Sequence, residues 1–383
     1  VNFQKVVNNL HSCWKIVVFL QGYYRTTVMT RLEQVYEKWL KLQPFSHEDE
    51  MRLNRKFMLD FNYNSNHIEG NTLTYGQTEV LLLLGRVVGE APMKDFEEMK
   101  AHNVGLNMME LQAKEQQPLT ESFIRQLHQV LLREDYIVYR ELPNGIQTSY
   151  TVHAGCYKTR PNSVITPTGE RFEYASPEET PALMGDLVNW FNEGEQSGRY
   201  TPAQLAALFH YRYIRIHPFE DGNGRIARLL VNYILLRQNY PMVVVLSRKK
   251  QSYLKALGEA DKNTGVVPSV GAHASLEMIE PFVQYMEKLL VEQINGDIAF
   301  LQSNPLETWW YNGELVKFRS DKSISMLQLM IDNPRVTIAE LSEQLSINSS
   351  AVQKQVATMT KKGYISKEGT PKQWHVHIFS TLK

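Results

Sequence analysis

Apolar residues recur at helical spacing through most of this chain, most clearly between Thr201 and Ile234. Leu205, Leu208, Phe209 and Ile216 fall near a 3.6-residue period. Thr201 stands as N-cap, Pro202 at the first helical position and Gln204 three residues after the cap, a capping box that predicts a helix start. Pro218 disfavours helical geometry at the residue before it, so this helix is expected to stop at His217 and leave that side chain facing a loop. Beyond the loop, Ile226, Leu229, Leu230, Tyr233 and Ile234 mark one buried stripe on a second helix. Thr74-Tyr75-Gly76-Gln77 predicts another capping box before Val80 to Leu84. Leu119-Thr120-Glu121-Ser122 precedes Phe123, Leu127 and Leu131, and Pro177 and Pro181 lead into a helix through Met184 to Phe191.

Two stretches break the helical pattern. Gly155 to Arg160, Ser163-Val164-Ile165-Thr166, the turn signal Pro167-Thr168-Gly169 and Arg171-Phe172-Glu173-Tyr174 predict a short hairpin rich in β-formers. In the tail, Ile324, Leu327 and Met330 mark one helix, Thr337 opens a second through Leu345, and Ser349-Ser350 cap a third through Met359. Lys362 to Ile365 and Trp374 to Ile378 then predict two strands around Gly369-Thr370-Pro371, the pattern of a winged helix.

Composition narrows the classes. The chain has 383 residues, 43% hydrophobic and 21% charged, which exceeds one ordinary domain and excludes wholesale disorder. Lys+Arg 41 against Asp+Glu 41 leaves no net charge, so nothing at whole-chain level argues for nucleic acid or a membrane surface. Two cysteines, Cys13 and Cys156, make no disulfide framework and suit a reducing compartment, so the cytoplasm is expected. Residues 1–28 contain no Met, Asp or Glu, whereas Met29-Thr30-Arg31 opens a charged helical stretch. The segment reads as a non-native or upstream extension, with a secretory signal as the weaker alternative.

The densest chemistry lies in His217-Pro218-Phe219-Glu220-Asp221-Gly222-Asn223-Gly224-Arg225-Ile226-Ala227-Arg228. Glycines just before a helix let backbone N–H groups approach an anion, and the helix dipole favours phosphate there. Asp221 then suits a magnesium ion that bridges phosphate oxygens, and Arg225 and Arg228, three apart, can grip outer phosphates in forked geometry. His217, neutral near pH 7, can take a proton from an incoming hydroxyl.

This stretch matches the pattern His-Pro-Phe-x-Asp-Gly-Asn-Gly-Arg-x-x-Arg and resembles the motif of the Fic family. The resemblance implies a protein adenylyltransferase that moves AMP from ATP to a Ser, Thr or Tyr hydroxyl of a target protein, and to itself, with release of pyrophosphate. By analogy His217 is the base and Asp221 the magnesium ligand. Asn223 and the backbone of Gly222 and Gly224 make the α-phosphate and anion-hole contacts, Arg225 and Arg228 clamp the β- and γ-phosphates, and Phe219, counted with the nucleotide-binding residues, packs and fixes the loop. Pro218 shapes the turn, and Glu220, at the variable position, has no implied role. Gly224 departs from the Lys found there in the phosphate-transferring branch. The predicted hairpin resembles the family's flap, with Val164 and Ile165 docking the target by strand addition.

Ser65-Asn66-His67-Ile68-Glu69-Gly70 resembles the family's inhibitory helix. By that resemblance Ser65, Glu69 and Gly70 form the inhibitory segment and Glu69 pairs with Arg228, so the resting enzyme is held off. In some relatives the same glutamate serves removal of AMP.

The expected fold is mainly α, a Fic-type helical bundle with a β-hairpin flap and a small C-terminal winged helix-turn-helix domain. The expected divisions are an N-terminal helical region over 29–140 carrying the inhibitory helix at about 47–70, a catalytic core over 141–292, a linker or helix over 293–320 and the winged helix over 321–383. That last part holds eight lysines and arginines against five acids, a net of plus three, so it is only mildly basic. DNA is therefore the weaker partner for it, behind protein contact or a homodimer. The competing functional readings are a non-catalytic scaffold, a DNA-binding regulator and transfer from another nucleotide donor.

Overall fold

The computed structural model describes residues 29–141, 145–165, 171–303, 308–318, 320–368 and 371–380. The expectation for residues 1–28 and the turn signals Pro167-Thr168-Gly169 and Gly369-Thr370 lie outside the described residues. The chain divides into two units, residues 1–43 and 44–383. In the first, α1 (Arg31–Leu40) starts at a Thr30–Glu33 capping box. No described helix is long and apolar enough to cross a membrane.

The larger unit opens with α2 (His47–Ile68), capped by Ser46 and carrying Glu48, Asp49 and Glu50 in its first turn, where the helix dipole favours acids. Gly70, at φ +97°, turns the chain after it. The Thr74–Gln77 capping box starts α3 (Tyr75–Leu84) as predicted. α4 (Met93–Lys114) and α5 (Glu121–Leu132) follow, the latter with Thr120 as N-cap. A hairpin not anticipated from sequence comes next, β1 (Tyr136–Glu141) against β2 (Gln147–Val152). The expected flap is β3 (Ser163–Ile165) against β4 (Arg171–Glu173), with Val164 opposite Phe172 and Ile165 opposite Arg171.

α6 (Thr180–Ser197) leads to the helix pair at the centre of the bundle, α7 (Pro202–Ile216) and α8 (Asn223–Arg237). The sequence pattern gave α8 one apolar stripe, but every residue from Arg225 to Leu235 is buried. A helix buried all round belongs to the middle of a bundle. Here α7, α4, α5 and α2 surround it, and Arg225, Arg228 and Asn232 are polar groups carried into the interior. α9 (Lys250–Thr264), the short α10 (Pro268–Ala272) and α11 (Glu280–Gln302) complete the bundle.

The winged helix comprises α12 (Asp321–Asp332), α13 (Ile338–Leu345), α14 (Ser349–Lys361) and the wing strands β7 (Ile365–Glu368) and β8 (Gln373–Val376). The first wing strand begins later than the sequence pattern suggested, because Lys362 still caps α14 and Gly363 turns the chain at φ +74°. The segment expected as a linker holds the end of α11 and two further strands, β5 (Trp309–Tyr311) and β6 (Glu314–Leu315). β5 pairs with both β6 and β9 (Phe379–Ser380), so the stretch before α12 is stitched to the last described residues. Trp309 lies in the core of this part with Met326, Leu327 and Trp374.

The β5–β6 turn rests on α2. Asn64 Nδ2 donates to Asn312 Oδ1 at 2.6 Å, Tyr311 packs on Tyr75 with ring centres 4.8 Å apart, and Arg248 pairs with Glu314. The His377 ring lies so close to Gly76 that a Cβ there would stand 2.6 Å from it.

Candidate active site

His217 ends α7 in the left-handed region, at φ 51° and ψ 62°. A side-chain-bearing residue gives up roughly 1 kcal/mol or more in that conformation, so the surroundings must hold it. The His217 amide donates to Tyr213 O at 2.9 Å, and Lys158 Nζ donates to the carbonyls of Ile216 at 3.0 Å and His217 at 2.9 Å. The Tyr174 ring, just past the flap, stacks on the His217 ring at 4.0 Å.

Residues 158–162 form a strap along the motif loop. The Lys158 amide donates to Pro218 O at 2.8 Å, Asn162 Nδ2 donates to Phe219 O at 2.8 Å, and Thr159 Oγ1 donates to Glu220 Oε1 at 3.1 Å. Glu220 therefore has a structural partner that the motif did not reveal. From inside, Asn223 closes the loop: its Oδ1 accepts the Phe219 amide at 3.0 Å and its Nδ2 donates to Phe219 O at 2.7 Å. The resemblance gave Asn223 to the α-phosphate; its side chain is buried and committed to this turn, which leaves its backbone amide for that contact. Phe219, expected to pack and fix the loop, is fully buried and stacks on His128 at 3.7 Å. Its contribution is packing.

Asp221 follows with its side chain 44% exposed. Its Oδ1 accepts from the Gly222 amide at 2.6 Å, and its Oδ2 accepts from Tyr136 Oη at 2.7 Å, with Arg225 Nη2 at 3.5 Å. Gly222 is the N-cap of α8 at φ 75°, with no side chain capping the helix. The first amides of α8 therefore have no helical acceptor and point to where an anion would sit.

Glu69 reaches that place. A Cβ on Gly224 would collide with Glu69 Oε1, so the glutamate's carboxylate lies directly against the start of α8. Arg228 Nη2 donates to Glu69 Oε1 at 2.7 Å and to Ser65 O at 2.9 Å, while its Nε donates to Ser65 Oγ at 3.0 Å. Ser65 Oγ also meets His102 Nε2 at 3.1 Å, and His102 Nδ1 meets Asn62 Oδ1 at 2.7 Å. Because a carbonyl oxygen can only accept, His102 carries its proton on Nδ1 and Nε2 accepts from the serine hydroxyl. The serine's lone pairs are thereby turned toward Arg228. Lys250 Nζ donates to Ile68 O at 2.6 Å at the end of the same helix.

Burial, with the Lys158 charge nearby, pushes His217 down to about 3, against smaller opposing effects of the Ile214 carbonyl, Glu69 and Asp221. Its imidazole is neutral at any ordinary pH. Burial also brings Lys158 down to about 8. For Glu69 and Asp221 burial acts upward, yet Arg228 and Arg225 respectively hold each carboxyl below its usual value.

The structure thus brings His217, Asp221, Gly222, Gly224, Arg225 and Arg228 round one helix start, and sets Ser65 and Glu69 against it with Gly70 turning the chain away. Val164 and Ile165 lie on β3, and their side chains lie outside the described residues. Sequence reasoning missed His128, Tyr136, Lys158 and Tyr174. Only His128 left a signal, a polar residue on the apolar face of Ile124, Leu127 and Leu131.

Residues 118–235 match the Fic/DOC family, and residues 319–366 match a family described as winged helix-turn-helix DNA-binding. The chain is 30% identical over 239 residues to a protein adenylyltransferase of Caenorhabditis elegans, a match that spans 62% of this chain and 40% of the relative. It is 30% identical over 202 residues to the protein adenylyltransferase Fic of Drosophila grimshawi, spanning 52% of this chain and 38% of that one. The chain thus spans about two-fifths of the length of these curated relatives. A Fic domain containing signaling protein from Bacteroides thetaiotaomicron, solved by crystallography, is 53% identical and superposes with a TM-score of 0.66 over 71% of this chain and 97% of its own. With the helix-bounded loop, the flap and the winged helix in place, this chain belongs to the Fic/DOC family.

Proposed function

We propose that this protein is an autoinhibited protein adenylyltransferase. It transfers AMP from ATP to a Ser, Thr or Tyr hydroxyl of a target protein. The observation that carries the reading is the neutral His217 held at the end of α7 beside the uncapped start of α8, with Arg225 and Arg228 buried on that helix. A neutral imidazole can accept a hydroxyl proton, and a helix start with two arginines can hold a polyphosphate.

The chemistry follows from these groups. One ring nitrogen of His217 takes the proton as the acceptor oxygen bonds to the α-phosphorus, and the bond from that phosphorus to the bridging oxygen breaks. Pyrophosphate leaves with the bonding electrons. The α8 amides and Arg225 stabilise charge on the phosphate oxygens. Asp221 fits a magnesium ion: its oxygens are hard donors on a part-exposed carboxylate, and each accepts one strong hydrogen bond, which leaves lone pairs for a metal. Among the described residues no group of three His, Cys, Asp or Glu could hold a metal alone, so Asp221 would hold the ion together with phosphate oxygens and water. When bound, the ion neutralises phosphate charge.

Arg228 is the natural clamp for the outermost phosphate, and Glu69 and Ser65 already occupy it. A nucleotide that needs Arg228 must displace that carboxylate, which supports the inhibited resting state. The test is transfer of label from ATP marked at the α or γ phosphate, in Glu69→Gly protein beside the Glu69→Gly/His217→Ala double variant. Transfer of α label that vanishes with His217 supports the reading. Transfer of γ label makes the protein kinase-like, and no transfer of either overturns it.

A further inference from the structure

The motif supplies Asp221 and the Gly222 amide that holds its Oδ1, and residues outside the motif hold the rest of it in place. Tyr136, the first residue of β1, donates its hydroxyl to Asp221 Oδ2 at 2.7 Å. The main chain of Asp221 is held separately, by His128 Nε2 at 3.1 Å from Asp221 O. The Gly155 amide donates to His128 Nδ1 at 2.9 Å, so that nitrogen carries no proton and Nε2–H is the donor to the carbonyl. The carboxylate is thus anchored at both oxygens and the residue at its carbonyl.

We propose that Tyr136 is a positioning residue that fixes the Asp221 carboxylate in the orientation a nucleotide-bound divalent cation requires. This rests on the functional reading above. A free aspartate side chain rotates about two bonds, and holding both oxygens removes most of that freedom before the cation arrives. An ionised carboxylate oxygen can only accept, so the phenol is the donor in this bond. Its single hydroxyl takes one of the two lone pairs of Oδ2 and leaves the other unclaimed by the phenol. Outer partners that orient a metal ligand in this way change metal affinity by roughly ten- to a hundred-fold when removed. Tyr136 sits at the base of the β1–β2 hairpin, so the hairpin's seat and the orientation of the ligand are joined by one bond.

The alternative is that Tyr136 only packs. Its ring lies 5.8 Å from Lys94 Nζ, a contact that Tyr136→Phe keeps while it deletes the hydroxyl. ATP binding is measured by calorimetry at fixed nucleotide while magnesium is raised, in Glu69→Gly protein as parent, with Tyr136→Phe, Asp221→Asn and the combination of both. Melting temperature and ATP binding in EDTA are recorded alongside. Tyr136→Phe is expected to raise the magnesium concentration for half-maximal ATP binding about ten-fold. Metal-free binding and melting temperature stay unchanged, and no further loss appears once Asp221 is Asn. An unshifted magnesium requirement overturns the positioning role, as does a loss that adds to that of Asp221→Asn or a fall in metal-free binding equal to the whole effect. If the parent itself binds ATP without any magnesium dependence, the functional reading falls and takes this proposal with it. If the parent is magnesium-dependent and Tyr136→Phe matches it, only this proposal falls.

Discussion

Glu69 Oε1 lies 2.7 Å from Arg228 Nη2, and through that pair the end of α2 closes a site built by α7, the motif loop and α8. The arginine is buried, while the glutamate side chain is 39% exposed. The partner that can leave is therefore the glutamate. It lies on the solvent side and at the last turn of its helix, where fraying needs little rearrangement.

Removing Glu69 is expected to free Arg228 without opening the core. Glu69→Gly should raise the rate of AMP transfer on the order of ten-fold or more, the range of a coupling of one to three kcal/mol. Ser65→Ala, which removes one of three hydrogen bonds to Arg228, should raise it less. Initial rates of α-label transfer for both variants, at matched protein and magnesium concentrations, check the order. Equal rates in wild type and Glu69→Gly would mean that the ion pair does not limit the enzyme.

His217→Ala removes the proton acceptor but none of the phosphate contacts. In the Glu69→Gly background the transfer rate is expected to fall by about a hundred- to ten-thousand-fold. ATP affinity should change by less than about three-fold, because no hydrogen bond to the phosphates is lost. Parallel calorimetry and label transfer separate the two. A large loss of affinity would place His217 in binding rather than proton transfer.

Acid is expected to destabilise the fold well above the range in which its carboxylates titrate. His210, inside the bundle, is pushed down to about 3 by burial, against about 6.5 when free, and His102 is pushed well down by burial and then by Arg225 and Arg228. Below pH 6.5 the unfolded chain takes up these protons and the folded chain does not, so stability present above 6.5 is lost steadily as pH falls toward 3. Melting temperature between pH 7.5 and 5 should fall, and His210→Gln should flatten that slope. A slope unchanged in the variant would assign the acid sensitivity to other groups.

Asn312→Ala tests whether the β5–β6 turn helps to hold Ser65 and Glu69 against Arg228. Asn64 is buried, adjoins Ser65 in sequence, donates to Asn312 and accepts from the Ser247 amide at 2.8 Å. Losing the Asn312 acceptor should cost about 1 to 3 kcal/mol of stability and loosen the last turn of α2. AMP transfer by the otherwise wild-type protein is expected to rise a few-fold. A fall in melting temperature with transfer still at the resting level would make the contact structural only.

What the sequence determined by itself was local. The capping boxes at Thr74 and Thr201 and the helix stop imposed by Pro218 on His217 depend on residues within a few positions of each other, so they were legible from the chain alone. The motif residues were legible for the same reason, being packed into one loop and one helix turn. Glu69 could be named as the partner of Arg228 only through resemblance, since nothing in the spacing specifies a contact 159 residues away, and the Ser65 contact came from the structure. The tertiary structure alone decided that the Asn223 side chain faces inward, because whether a polar side chain meets a ligand or a neighbour depends on which helices pack against the loop. It also decided that Tyr136 and His128 hold Asp221 and that the strands before α12 pair with the chain's last described residues. β pairing and hydrogen bonds between distant segments are set by the packing of the whole bundle, and a two-residue strand such as β6 or β9 has too few positions to show a period.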